Sequence, residues 1–230
     1  MGKLNVLILG DGLLGSEIVK QTGWDYISRK AGTFDIDNIK ESLDSHIPDI
    51  ILNCIANTDT YSKNKENHWN INYVFVNELI QYCNFNNIKL VHISTDYVYA
   101  GSVSNATEDD VPVHCNTWYG YTKLLGDGLV QLQSNNYLLC RCTHKPSPFP
   151  YEGAWLDQIG NFDYVNVISN LIIKLIKSNS HGLYNVGTDV KTMYELASTT
   201  KLVSKTFTPE YVPKNQSMDI TKLKNNLKNG

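Results

Sequence analysis

A chain of 230 residues, 42% apolar and 19% charged, can bury a sizeable core without requiring two full domains. Its net charge of −3, with no basic face interleaved with aromatics, offers nucleic acid no footprint, and no apolar stretch reaches membrane-spanning length. The start, Met1-Gly2-Lys3-Leu4-Asn5-Val6, lacks a signal-peptide layout and lacks Ser or Thr at position 6, where a myristoylation signal would have one, so a cytoplasmic protein is expected.

Residues 3–9 form an apolar run of strand length, followed at once by Gly10-Asp11-Gly12-Leu13-Leu14-Gly15 and a helical pattern carrying Ile18 and Val19. This is the strand, glycine turn and helix of a dinucleotide fold. Gly10 allows the tight turn, Gly12 lets backbone N–H groups approach a pyrophosphate, and Gly15 lets helix and strand pack closely. The helix N-terminus then faces the anion. The second strand, 24–27, ends in Ser28-Arg29-Lys30, where an NAD enzyme would place a carboxylate for the ribose hydroxyl. Arginine forks onto phosphate oxygens, so NADP(H) is expected over NAD(H); a solvated basic loop is the competing reading.

Strands and helices keep alternating. Asp37 is expected to cap a short helix to Ser45; 49–53 reads as a strand, 64–84 as a long helix, 89–94 as a strand and 101–117 as a loop. A helix then runs to about Gln133, and 137–142 returns as a strand. Such alternation predicts a doubly wound parallel α/β sheet with right-handed crossovers and ligands at the carboxyl ends of the strands. Five cysteines, Cys54, Cys83, Cys115, Cys140 and Cys142, are odd in number and fall mostly in predicted elements, so they read as reduced packing residues. Cys140-Arg141-Cys142 is too tight for paired zinc spacing, and no metal is expected.

The sharpest pattern is Tyr119-Gly120-Tyr121-Thr122-Lys123, because residues four apart share one helix face. An ammonium beside a phenol lowers the phenol pKa from near 10, so Tyr119 is expected to deliver a proton to a nascent alkoxide near neutral pH. The run His92-Ile93-Ser94-Thr95-Asp96-Tyr97 ends like a buried strand opening into the same site. A half-buried Tyr and a solvated Lys on an ordinary helix would give the same spacing by chance.

Taken together, Gly10 to Gly15, the stretch Asn53-Cys54-Ile55-Ala56-Asn57-Thr58, residues 92–101, Glu108 to Pro112 and 119–127 resemble the extended short-chain dehydrogenase/reductases, specifically the dTDP-4-dehydrorhamnose reductase group. The likeness continues through Arg141, 157–160, 182–187 and 214–223. It implies a Rossmann-type fold and reduction of a 4-keto group on a nucleotide-linked deoxysugar, with Thr95, Tyr119 and Lys123 as the catalytic set. Cofactor contacts are expected from Gly10, Asp11, Gly12, Leu13, Leu14, Ser28, Arg29, Lys30, Asp35, Ile36, Cys54, Ala56, Asn57, Thr58, Ser94, Tyr119, Lys123, Cys142 and Thr143, and sugar contacts from Thr95, Asp96, Tyr97 and His144.

One stretch departs from the family. Beyond Arg141 the family has a tryptophan in the pocket wall and a helix closing over the sugar nucleotide; here the chain reads Cys142-Thr143-His144-Lys145-Pro146-Ser147-Pro148-Phe149-Pro150. Three prolines in five residues favour an extended segment. The expected organisation is therefore a dinucleotide domain of residues 1–143 plus about 162–187, with a reduced substrate lobe of 144–161 and 188–230 and a more open pocket. His144 reads either as a contact to the substrate diphosphate or an acid/base, or as a surface residue of a proline loop. Two other functions stay open: a regulatory partner like the subunit of methionine adenosyltransferase, and an epimerase or epimerase/reductase. The loop 95–101 lacks the cysteine that combined enzymes often use, which favours simple reduction. Subunit count is left open, a homodimer among the arrangements allowed.

Overall fold

The computed structural model describes residues 4–101, 104–110 and 117–229. The first apolar run forms β1 (Val6–Leu9), buried at every position. Helix α1 (Leu13–Thr22) follows the glycine turn and stops at Gly23, whose N–H bonds the Val19 carbonyl in a left-handed cap. Then come β2 (Asp25–Ile27), α2 (Ile39–Leu43) and β3 (Ile50–Asn53). The predicted long helix is α3 (Lys65–Trp69) joined through a π turn at Asn70–Val74 to α4 (Phe75–Phe85). Strand β4 (Lys89–Ser94) runs into a 3-10 turn, Asp96–Tyr99; α5 (Trp118–Gln133) and β5 (Tyr137–Arg141) follow.

Beyond Arg141 the chain forms β6 (His144–Lys145), β7 (Gly153–Trp155), β8 (Ile159–Gly160) and β9 (Asp163–Tyr164) before α6 (Val165–Lys177) and β10 (Gly182–Asn185). The last elements are β11 (Lys191–Thr192), α7 (Met193–Ser198), β12 (Ser204–Thr206), β13 (Asn215–Gln216) and α8 (Thr221–Asn229). No helix lies between β5 and α6, as the prolines dictate.

Six strands make one parallel sheet in the order β10-β5-β4-β3-β1-β2. The chain winds outward from β1 to β2, then returns to place β3 on the other side of β1, so a crevice opens beyond the carboxyl ends of β1 and β3. Alternate strand residues feed two cores. Ile8 and Leu52 pack with Ile18 of α1 and with Ile168, Ile172 and Ile176 of α6, while Leu7, Leu9 and Ile51 pack with Phe75, Leu79 and Ile80 of α4. A third cluster, including Phe149, Ala154, Phe162, Met193 and Leu196, sits apart from both.

Two local expectations are corrected. Asn38, not Asp37, occupies the cap position of α2, which ends at Leu43 rather than Ser45. The Asp35 carboxylate accepts the Asp37 backbone N–H at 3.0 Å, so that turn closes on itself instead of starting the helix. The π turn comes where Asn72 bonds outward: its side chain accepts from the Asn57 N–H (2.9 Å) and donates to the Asn57 carbonyl and Thr122 Oγ1 (3.1 Å each). Among the described residues no helix is long and apolar enough to cross a membrane.

Candidate active site

A cavity of about 900 Å3 opens beyond the ends of β1, β3, β4 and β5. At one end stands the glycine turn. Gly10 has φ +100°, which side chains rarely adopt, and its N–H bonds the Ile27 carbonyl at 2.9 Å. A Cβ on Gly15 would lie 2.0 Å from the Gly10 carbonyl oxygen, so α1 can rest on the turn only because residue 15 has none. Gly12, Leu13 and Leu14 line the cavity, as do Cys54, Ala56 and Thr58 from the loop after β3. Gly10, Asp11 and Asn57 lie outside the lining, where they shape its walls: the Asp11 carbonyl accepts from Ser16 Oγ at 2.7 Å, and Asn57 is latched to Asn72. Ser28 is buried, its Oγ accepting the Ala31 N–H at 3.0 Å; Arg29 and Lys30 are exposed and form no ion pair among the described residues. Asp35 and Ile36 follow in the same loop, outside the cavity lining.

In the middle of the cavity, Ser94, Thr95, Tyr97, Tyr119 and Lys123 meet in the wall. Thr95 caps the 3-10 turn, accepting the Tyr97 N–H at 3.2 Å, and Thr117 caps α5 by accepting the Gly120 N–H at 3.0 Å. Those caps bring both elements to one wall of the cavity, where Tyr119 and Thr95 are neighbours close enough for Thr95 to act on the Tyr119 hydroxyl. The Tyr119 ring stands edge-on to Tyr97, with centroids 5.9 Å apart, and the Tyr97 hydroxyl is 2.9 Å from that of Tyr61.

The expected acidified phenol is not found in this arrangement. Burial pushes the Tyr119 pKa well above its ordinary value, Thr95 opposes the rise, and the charge of Asp96 adds to it. Lys123 does not acidify it because its Nζ is engaged elsewhere, donating to the Ile93 carbonyl at 2.7 Å and lying 3.4 Å from His92 Nε2. Burial brings the Lys123 pKa down to about 8, with Asp127 pulling the other way. Tyr119 is therefore a protonated donor in the ligand-free site.

Asp96 differs from its expected place facing a sugar. It is fully buried behind the wall, accepting from Thr143 and, at 3.3 Å, from Thr95, so it fixes the two hydroxyls that do line the cavity. Burial holds its carboxyl above the usual range. Below it Arg141 Nε donates to Asp127 Oδ2 at 2.8 Å and Nη1 to the Tyr99 hydroxyl at 2.6 Å; this buried pair joins β5, α5 and the 3-10 turn.

Cys142, Thr143 and His144 line the far wall. His144 is not a surface residue of a proline loop: it is half-buried, its Nδ1 without a partner among the described residues, and burial lowers its pKa to about 4. A neutral imidazole is thereby set at physiological pH, a poor proton donor. The neighbouring Lys145, at the strand edge where the candidates cluster but not among the expected contacts, lines the cavity and forms no ion pair among the described residues. Tyr61, Trp155, Gln158, Met193 and Gln216 were also missed. Cys54, Cys83, Cys140 and Cys142 are free, and burial raises all four thiols, Cys54, Cys83 and Cys142 to about 12; Cys115 lies outside the described residues.

Comparison with known proteins agrees with this fold. The family described as the RmlD substrate binding domain matches residues 4–144, more than half of the chain. A curated relative, the spore coat polysaccharide biosynthesis protein SpsK of Bacillus subtilis, is 28% identical over 218 residues, which is 84% of this chain and 77% of that protein. A solved dTDP-4-dehydrorhamnose reductase of Bacillus anthracis, in complex with NADP, superposes with TM-score 0.82 at 24% identity, covering 98% of this chain and 93% of its own. A UDP-glucuronic acid 4-epimerase of Bacillus cereus in complex with NAD superposes with TM-score 0.75 at 18% identity, covering 98% and 90%. The parallel sheet, the glycine turn and the family match lead to one statement: the chain belongs to the RmlD family of extended short-chain dehydrogenase/reductases.

Proposed function

We propose that this protein is a sugar-nucleotide reductase that uses NADPH to reduce a 4-keto group on a nucleotide-linked deoxysugar. The observation that carries the reading is the Thr95 and Tyr119 hydroxyl pair in the wall of a cavity that also holds the glycine turn. The cradle suits a dinucleotide: apart from Gly12 and its two chain neighbours, no protein atom lies within 4 Å of the position a Gly12 Cβ would take, so the room beside that backbone is left for a ligand. Exposed Arg29 and Lys30 suit a 2′-phosphate, and the Bacillus anthracis relative was solved with NADP.

A reduced nicotinamide, when bound, supplies hydride to the carbonyl carbon. Tyr119 gives its proton to the carbonyl oxygen as negative charge develops there, and the Thr95 hydroxyl, turned from Asp96, donates a hydrogen bond to the same atom. Donors fixed before reaction favour the transition state over the ground state. Lys123, released from the Ile93 carbonyl, neutralises the phenolate and holds a ribose hydroxyl. Lys145 gives the far wall a cation suited to an anionic group of the substrate. In this reading residues 144–161 and the chain from 188 onward form the substrate lobe around the third core cluster, with Phe162 and Tyr164 at the join to the dinucleotide domain of 1–143 and about 162–187; Ile220 and Leu223, by contrast, pack with α6 in the first core.

The test is oxidation of NADPH by the purified protein with a 4-keto-6-deoxy sugar nucleotide, abolished in Tyr119→Phe. Cofactor binding without turnover on any keto-sugar would point to a regulatory partner, and deuterium uptake into unreacted sugar from heavy water to an epimerase.

A further inference from the structure

His92 is fully buried in β4 and does not line the cavity, so neither cofactor nor sugar touches it. Its neighbours nevertheless fix where its proton sits. Asn53 Oδ1 accepts the Ile55 backbone N–H at 2.9 Å, and since that N–H can only donate, the orientation of the Asn53 amide is set. The Asn53 amide nitrogen is then the atom 3.1 Å from His92 Nδ1. It too can only donate. Nδ1 must accept, and the neutral imidazole carries its proton on Nε2, the nitrogen 3.4 Å from Lys123 Nζ.

A charged lysine has three donors and no lone pair. Facing His92 Nε2–H it meets donor with donor, whereas an uncharged amine accepts from His92 and still donates to the Ile93 carbonyl at 2.7 Å. We infer that His92 is a positioning residue for the charge of Lys123: locked by Asn53 as the Nε2–H tautomer, it weakens the hold of Lys123 on its proton in the ligand-free site.

The other groups facing Lys123 are Asp127 on its own helix, Cys54 beyond β3 and Cys142 beyond β5. Asp127 favours the ammonium but is already paired with Arg141 at 2.8 Å, and the two thiols are kept protonated by burial. His92 is thus the facing group whose proton position tips the balance, and burial of Lys123 acts in the same direction. The consequence for turnover rests on the reductase reading, which needs a charged lysine beside the phenolate: activity should fall as pH rises through the Lys123 midpoint. The tautomer does not depend on that reading.

The experiment is a long-range 1H–15N spectrum of ligand-free protein labelled in histidine, with the Lys123 titration followed at its side-chain carbons and assigned by its disappearance in Lys123→Met. The expected result is His92 as the Nε2–H tautomer. In His92→Gln, whose side-chain oxygen can face the ammonium, the lysine midpoint should rise by about one unit, a tenfold change in proton affinity. Asn53→Asp, which gives Nδ1 an acceptor and draws the proton from Nε2, should shift it the same way. An Nδ1–H tautomer in the wild-type protein, which needs no variant to fold, overturns the inference. So does a midpoint that both variants leave unchanged. The Nε2–H tautomer with shifted midpoints, found in a protein that turns over no keto-sugar, upholds the role of His92 and removes the reductase reading alone.

Discussion

Two glycines of one turn should fail in different ways when a methyl group is added. At Gly15 the new Cβ would sit 2.0 Å from the Gly10 carbonyl oxygen, where ordinary contact begins at 3.4 Å, and a backbone atom in a tight turn cannot swing aside. Gly15→Ala should therefore cost the upper part of the ~1–3 kcal/mol typical of overpacking and deform the turn as well. Gly12 has φ −66° and ψ −172°, which alanine adopts freely, and an added Cβ would meet no atom within 4 Å beyond its two chain neighbours. Gly12→Ala should hold or raise stability, by up to about 1 kcal/mol through a stiffer unfolded chain. Its methyl group fills the space a pyrophosphate needs, and loss of one charge-assisted backbone hydrogen bond, about 1.5–3 kcal/mol, weakens cofactor binding roughly ten- to hundred-fold. Urea denaturation paired with fluorescence titration of NADPH separates the two effects. Gly12→Ala binding NADPH as tightly as wild type would refute the assignment of this turn as the phosphate cradle.

Three further outcomes are expected. Arg29→Ala should weaken NADPH about tenfold while leaving NADH unchanged, by loss of one charge-assisted contact; wild-type protein binding both equally would remove the reason for preferring NADP. Arg141→Met strands the fully buried Asp127 carboxylate and should cost about 3–5 kcal/mol in urea denaturation, and a loss under about 1 kcal/mol would mean the pair is not sealed from water. Lys123→Met should stabilise the ligand-free protein at pH 7 by about 1–3 kcal/mol, because the folded pKa is lowered from 10.5 to about 8. Folded protein binds fewer protons than unfolded across that window, so the cost of the buried charge is full below pH 8 and fades as pH rises towards 10.5. Wild-type stability should climb over this range relative to the variant, and parallel curves would contradict the burial of a charge at this position.

The sheet was legible because β1, β3 and β4 are short apolar runs, each followed by residues that suit a turn or a site, and because Tyr119 and Lys123 share a helix whose periodicity is plain. What could not be read depended on partners distant in sequence. Lys123 bonds a carbonyl 30 residues away, and no local pattern distinguishes that state from a lysine beside a phenol. The Asn72 side chain, which pins the Asn57 loop to α5 and coincides with the π turn, looks like any polar residue of an amphipathic helix. The far wall drew on β6, β7 and β13, of two or three residues each, too short for any alternation to show. Lys145 was left out of the expected contacts because lysines are ordinarily solvated, whereas His144 was expected at the sugar and does line the cavity.

Turnover in Tyr119→Phe tests the central claim most directly. With NADPH and a 4-keto-6-deoxy sugar nucleotide, wild-type protein should oxidise the cofactor, and the variant should lose a factor of about 100 to 10,000 in rate. Its NADPH affinity should stay at the wild-type level. Equal rates in the two proteins would contradict Tyr119 as the proton donor.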